Sequence, residues 1–186
     1  MRRPSLPDLL STARLMLVPV LWLLAFSGQR VLQGILLFVA GATDVVDGWL
    51  ARRWHVSTKL GSRIDTAADM LLLASIYAWI VMYDPVIVWQ HRVVVVAVLI
   101  TTLTFLTVEW VRFRRFADLH LYSAKAAGLL THAFILTLLF LGHSIHWLFD
   151  VALFAAAVGA LESLLIVATR ARIDEHVGTL LRRRAS

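Results

Sequence analysis

Long apolar runs separated by short polar breaks dominate the chain from end to end. Six runs can be read in order, over residues 9–26, 31–50, 62–83, 93–111, 124–141 and 147–169. Each is close to the roughly 20 helical residues that cross a bilayer core. A helix satisfies its own backbone hydrogen bonds in lipid, so the pattern predicts an all-α, polytopic integral membrane protein with six transmembrane helices in one bundle. The breaks are turn-forming: Ser27-Gly28-Gln29-Arg30 after the first run, Asp84-Pro85 after the third and Gly142-His143-Ser144 after the fifth. The longest polar stretches, 52–63 and 112–125, fall on the same side of the membrane. With no internal repeat or low-complexity linker, residues 1–186 read as a single domain.

Composition agrees with that pattern and excludes an ordinary soluble domain. Hydrophobic residues make up 60% of the chain, charged residues only 16%, and the mean hydropathy is +0.78. The few charges are placed asymmetrically. Arg2, Arg3, Arg14, Arg52, Arg53, Lys59, Arg63, Arg112, Arg114, Arg115, Lys125, Arg170, Arg172, Arg182, Arg183 and Arg184 put 16 of 18 basic residues on one side, and only Arg30 and Arg92 fall on the other. By the positive-inside rule that side is cytoplasmic, with both termini there. The net charge of +6 then reads as topology and attraction to anionic lipid. No basic stripe with interleaved aromatics lies outside the membrane boundaries, so no nucleic-acid partner is expected.

The amino end has the outline of a signal peptide, with Arg2 and Arg3, an apolar run, and Ala25-Phe26-Ser27 before Gly28. Cleavage there would strand an odd number of spans and upset the charge asymmetry, so the run is read as the first span. A bacterial inner membrane, with the working face toward the cytosol, suits the size and the lack of a targeting segment. The absence of cysteine excludes disulfides and thiolate metal sites.

Against this apolar background stands one acidic cluster. Asp44, Asp47, Gly48, Ala51, Arg52, Gly61, Asp65 and Asp69 spell D-x-x-D-G-x-x-A-R-x8-G-x3-D-x3-D across the cytoplasmic ends of the second and third spans. Ionisable residues at membrane depth are costly and mark functional sites. Spacings of three and four place each carboxylate pair on one helix face. Four carboxylates converging across a hairpin would repel one another unless neutralised. Hard divalent cations such as Mg2+ or Mn2+ prefer oxygen ligands and bind through a few carboxylates plus substrate phosphates, so one or two such ions are expected. Gly48, Ala51 and Gly61 leave room for a bulky ligand, and Arg52 offers a planar fork to phosphate. Together these residues point to phosphoryl-transfer chemistry on a nucleotide diphosphate.

The eight positions are the signature of the CDP-alcohol phosphatidyltransferases, and the chain resembles that family without a gap or mismatch in the motif. Pro7-Asp8-Leu9-Leu10-Ser11, with Arg14 and Pro19, resembles the family's first-helix pattern P-N-x-x-T-x-x-R, departing at Asp8 and Ser11. Ser11 keeps a hydroxyl for phosphate, whereas Asp8 loses an amide donor and adds a charge. The resemblance implies that an alcohol hydroxyl attacks the lipid-linked phosphorus of CDP-diacylglycerol and CMP departs. Carried onto this chain, Asp44, Asp47, Asp65 and Asp69 hold the metal, and Asp69 is also the general base. Ser11, Gly48, Ala51, Arg52 and Gly61 bind the CDP portion. The resemblance also implies a homodimer.

The acceptor is read from weaker features. Arg112, Arg114, Arg115 and Lys125 border the same leaflet. Arg112 and Lys125, nearest to helix ends, are the candidates for holding an acceptor phosphate, with topological anchoring by snorkelling as the alternative. Length and a lysine opening the fifth span are similar to the glycerol 3-phosphate enzymes, although Ala124-Lys125-Ala126-Ala127-Gly128 keeps only one lysine of their G-K-x-K-T pattern. Glycerol 3-phosphate is therefore the expected acceptor, with inositol phosphate, phosphatidylglycerol and other alcohols open.

Remaining polar residues have simpler readings. Glu109 and Glu162 either line a cleft or pair between helices. His143 and His146 lack further ligands nearby, and His55 and Lys59 read as solvated. Trp54, Trp89, Trp110 and Trp147 fall near span ends, where aromatic belts form. Residues 173–184 read as an amphipathic or basic surface tail. A transporter would distribute its acids across membrane depth, and a noncatalytic scaffold would be expected to have lost a metal carboxylate. Neither feature is present.

Overall fold

Apolar runs of this length leave the backbone one economical way to satisfy itself, and every element described in the structure is helical. The structure is a computed structural model that describes the backbone of residues 6–54, 59–113 and 121–169 and the side chains of 12–43, 64, 67–111 and 121–169. The helices are α1 (Leu6–Phe26), α2 (Arg30–Trp54), α3 (Lys59–Tyr83), α4 (Pro85–Gln90), α5 (Arg92–Phe113), α6 (Tyr122–Leu141) and α7 (His146–Thr169).

Two differences from the sequence reading have local causes. Asp84-Pro85 is the start of the short α4 as well as a break: Asp84 Oδ1 accepts the Ile87 N–H at 3.1 Å, and Pro85 fills the first helical position, where its missing N–H costs nothing. The polar stretch 52–63 is mostly helical too, since α2 runs on to Trp54 and α3 begins at Lys59. Polar side chains end an apolar run without ending a helix, because the backbone ladder continues with residues such as Ala51 and Arg52 that favour it.

Among the described residues, α5, α6 and α7 are long and apolar enough to cross a membrane, over Arg92–Val111, Tyr122–Leu141 and His146–Thr169. Their length and composition are those of an integral membrane protein. Within the described residues of the first three helices, apolar stretches run over Thr12–Phe26, Arg30–Thr43 and Ala67–Tyr83. The acidic motif lies on the end of α2 and the start of α3. Each of those two has 25 residues, a rod of about 37 Å at 1.5 Å per residue.

The chain divides into two compact units, one of residues 1–83 and 135–143, the other of 84–134 and 144–186. In the first, α1 packs along both α2 and α3. Among the described residues of α1, Arg14, Val18, Leu21 and Ala25 are the buried positions, at spacings that fall on one helix face. Trp22 donates its Nε1–H to Ser75 Oγ at 3.0 Å and lies against Trp79, 5.5 Å between ring centroids. On α2, Gln33, Leu37 and Ala40 are buried, and the Tyr83 hydroxyl donates to Gln33 Oε1. The α1–α2 turn closes as a Schellman motif: Gly28 N–H bonds Ala25 O and Gln29 N–H bonds Leu24 O, with Gly28 at φ 72°.

In the second unit α5 packs on α7, and Phe134 of α6 lies 5.1 Å from Phe149 of α7 between centroids. Close approach of α6 and α7 depends on Gly159, where a Cβ would come within 3.3 Å of the Ala124 backbone. Ser123 donates to Glu162 between the same helices, the interhelical pairing open for that acid. Glu109 is buried on α5. Most of the apolar surface of α5 is exposed, including Val93, Val96, Leu99, Ile100 and Leu103. The Thr101, Thr104 and Thr107 hydroxyls donate to the carbonyls of Ala97, Ile100 and Leu103, so they bring no unmet polar group to that surface.

Candidate active site

The eight fixed positions of the motif all fall on helix. Asp44, Asp47, Gly48, Ala51 and Arg52 belong to the last turns of α2, and Gly61, Asp65 and Asp69 to the first turns of α3. Helical geometry puts Asp44 and Asp47, and likewise Asp65 and Asp69, within about 60° of each other around their axes. The side chains of Ser11, Asp44, Asp47, Gly48, Ala51, Arg52, Gly61, Asp65 and Arg112 lie outside the described residues, as do His55 and the tail after Thr169.

Asp69 is described, and its surroundings are specific. Its Oδ1 receives a hydrogen bond from Arg14 Nη1 at 2.8 Å. The two partners differ sharply in exposure: the Arg14 side chain is 2% exposed and that of Asp69 50%. Sequence reasoning counts Arg14 among the inside-positive charges and in the first-helix pattern, without assigning it a site role. The signal that marks it is register, since positions 14, 18, 21 and 25 share the buried face of α1.

The donor chemistry of the motif fits a hard divalent cation. It offers carboxylate oxygens and no soft ligand, and the described member, Asp69, keeps half its side chain accessible on the helix surface while it pairs with Arg14 of α1. Among the described residues no group of three His, Asp or Glu side chains is gathered elsewhere. His143 is exposed, and His146 stands near the Asp84 carboxylate. Lys125 is exposed on the first turn of α6, where its N–H bonds Leu121 O. Trp89, Trp110 and Trp147 are exposed near helix ends.

The sequence model of the family described as CDP-alcohol phosphatidyltransferase matches residues 4–161. The chain belongs to that family. The match takes in Ser11, Arg14, all eight motif positions, Arg112 and Lys125.

Among individual relatives of this CDP-alcohol phosphatidyltransferase family member, a CDP-diacylglycerol--glycerol-3-phosphate 3-phosphatidyltransferase of Salmonella choleraesuis is 37% identical over 73 residues, covering 38% of this chain and 40% of the relative. A protein of the same name from Rickettsia typhi is 36% identical over 85 residues, 44% of this chain and 48% of the relative. A probable cardiolipin synthase (CMP-forming) of Drosophila melanogaster is 35% identical over 92 residues, 49% of this chain and 29% of the relative. The chain thus matches less than half the length of each of these relatives. No solved structure matches it.

Proposed function

We propose that the protein transfers a phosphatidyl group from CDP-diacylglycerol to glycerol 3-phosphate and releases CMP. The observation that carries this reading is the complete eight-position motif on the end of α2 and the start of α3, in a chain that belongs to the CDP-alcohol phosphatidyltransferases. The acceptor oxygen bonds to the phosphorus that bears the diacylglycerol. The bond from that phosphorus to the bridging diphosphate oxygen breaks, and CMP leaves with the electron pair.

Each residue has a part in that exchange. Asp69 takes the proton of the attacking hydroxyl, a role that its half-exposed carboxylate permits. Asp44, Asp47, Asp65 and Asp69 hold one or two Mg2+ or Mn2+ ions, which when bound supply charge neutralisation on the diphosphate and the leaving oxygen. Arg52 pairs with the pyrophosphate, Ser11 contributes a hydroxyl, and Gly48, Ala51 and Gly61 make room for the nucleotide. Arg112 and Lys125 hold the phosphate of the acceptor.

The placement of basic residues supports six spans with both termini in the cytosol, and a site at the cytosolic leaflet. The Salmonella and Rickettsia relatives support a bacterial inner membrane. The donor's acyl chains then stay in lipid while its head group enters the site and the acceptor arrives from water. We take the working form to be a homodimer, which crosslinking in membranes tests.

A second acceptor, phosphatidylglycerol, is favoured by the name of the Drosophila relative. Both readings are tested with purified protein, CDP-diacylglycerol, Mg2+ or Mn2+ and a panel of acceptors, following CMP release and the lipid product. Release with glycerol 3-phosphate, absent in Asp69→Asn, is the expected result. Folded protein that releases no CMP with any acceptor overturns the reading.

A further inference from the structure

We propose that Arg14 is a positioning residue that sets the orientation of the Asp69 carboxylate for the proposed transfer. The inference rests on the reading of Asp69 given above and extends it to a residue on α1.

Three observations support it. First, the Arg14 side chain is 2% exposed and shares its face of α1 with Val18, Leu21 and Ala25. Desolvating a guanidinium is expensive, and a well-packed apolar side chain of similar volume usually stabilises a fold as well or better. Stability alone therefore does not explain an arginine here. Second, α1 is already tied to α3 by the Trp22–Ser75 hydrogen bond and the Trp22–Trp79 contact, so the ion pair is redundant as a clasp.

Third, the pair is lopsided. A buried cation grips Oδ1 at 2.8 Å while half of the Asp69 side chain stays accessible. That is the arrangement of a support behind a working group. A helix-surface aspartate left to itself samples several rotamers, and a displacement of about 1 Å at a reacting group can cost 10²-fold in rate. The planar guanidinium fork fixes direction as well as distance, which a lysine ammonium does less well.

The test compares wild type, Arg14→Met, Arg14→Lys and Asp69→Asn, each purified from membranes. The expected result for Arg14→Met is a kcat lower by about 10- to 100-fold, the range typical when a group supporting a functional ligand is removed. Its KM for CDP-diacylglycerol is expected to stay within about threefold, since uniform donor binding does not pass through Arg14. Arg14→Lys is expected to recover part of the lost kcat. Mn2+ binding by the substrate-free protein, read by electron paramagnetic resonance, reports the carboxylate's placement without turnover and is expected to weaken about tenfold in Arg14→Met and less in Arg14→Lys.

Arg14→Met at wild-type kcat and wild-type Mn2+ affinity, alongside an inactive Asp69→Asn, overturns the assignment of Arg14 alone. Loss of kcat in both Arg14 variants in step with loss of helical circular dichroism also overturns it, because that is a structural role. Asp69→Asn at the wild-type rate instead overturns the reading of the site, whatever the Arg14 variants do.

Discussion

Ser144 donates its hydroxyl hydrogen to Oδ2 of Asp84, 60 residues earlier in the chain, while Oδ1 of the same carboxylate caps α4. One side chain thereby joins the turn after α6 to the start of α4. Burial pushes the Asp84 carboxyl up, but the hydrogen bonds from Ser144, Ile87 N–H and Val86 N–H, with the charge of His146, outweigh it and hold the group below the usual carboxylate range.

A folded-state value below the unfolded one means that the unfolded chain binds more protons, so this contribution is full above the ordinary aspartate value of about 3.9 and fades as pH falls through the lower folded value. Ser144→Ala is expected to lower stability by about 1 kcal/mol near neutral pH. The gap to wild type is expected to narrow on acidification through that window. Thermal unfolding in detergent across a pH series reads both effects; a gap that widens in acid contradicts them.

The α1–α2 turn makes a conformational prediction. Gly28 sits at φ 72° with open space around the position of a Cβ, so Gly28→Ala meets backbone strain without a clash and is expected to cost about 1 kcal/mol. Denaturant or thermal midpoints in detergent measure it. A neutral substitution would mean that the turn relaxes to another geometry.

Two glycines of the second unit separate packing from propensity. Gly159→Leu drives side-chain atoms into the Ala124 backbone, 3.3 Å from the first of them, and is expected to destabilise by about 1–3 kcal/mol. Gly128 has nothing within 4 Å of its Cβ direction, so Gly128→Ala is expected to be neutral or to stabilise by up to about 1 kcal/mol through helix propensity. Melting both variants side by side tests the contrast.

Chelation tests the acidic motif as a whole. Excess EDTA is expected to abolish CMP release and added Mg2+ or Mn2+ to restore it. Asp44→Asn and Asp65→Asn are each expected to reduce kcat/KM by at least about 10²-fold, through loss of charge at positions proposed to hold the metal. Activity that survives chelation removes the reason for reading four aspartates as one site.

The helical architecture and the motif were both legible before any coordinates, for different reasons. Runs such as 93–111 and 147–169 are so apolar that helix is the natural backbone solution in lipid, and α5 and α7 follow them within a few residues. Helix ends were harder to read, because polarity marks where lipid stops and not where hydrogen bonding stops. Thus α2 passes through Arg52, and Asp84 opens a further helix after the break it marks.

Asp69 was legible from its spacing, but its partner was not. Arg14 lies 55 residues away, and a lone arginine near an amino end looks the same in sequence whether it faces lipid head groups or a buried carboxylate. Its pairing with Asp69 depends on how α1 packs against α3, a long-range relation that no local pattern encodes.

The bare flank of α5 bears on how this sequence can change. Val93, Leu99 and Leu103 answer mainly to hydrocarbon, so exchanges among aliphatic residues there are held loosely and can drift to match membranes of other thickness. A lysine at mid-helix would meet a far steeper penalty. Evolution has latitude along that edge and little at Gly159, where even a Cβ would lie 3.3 Å from the Ala124 backbone.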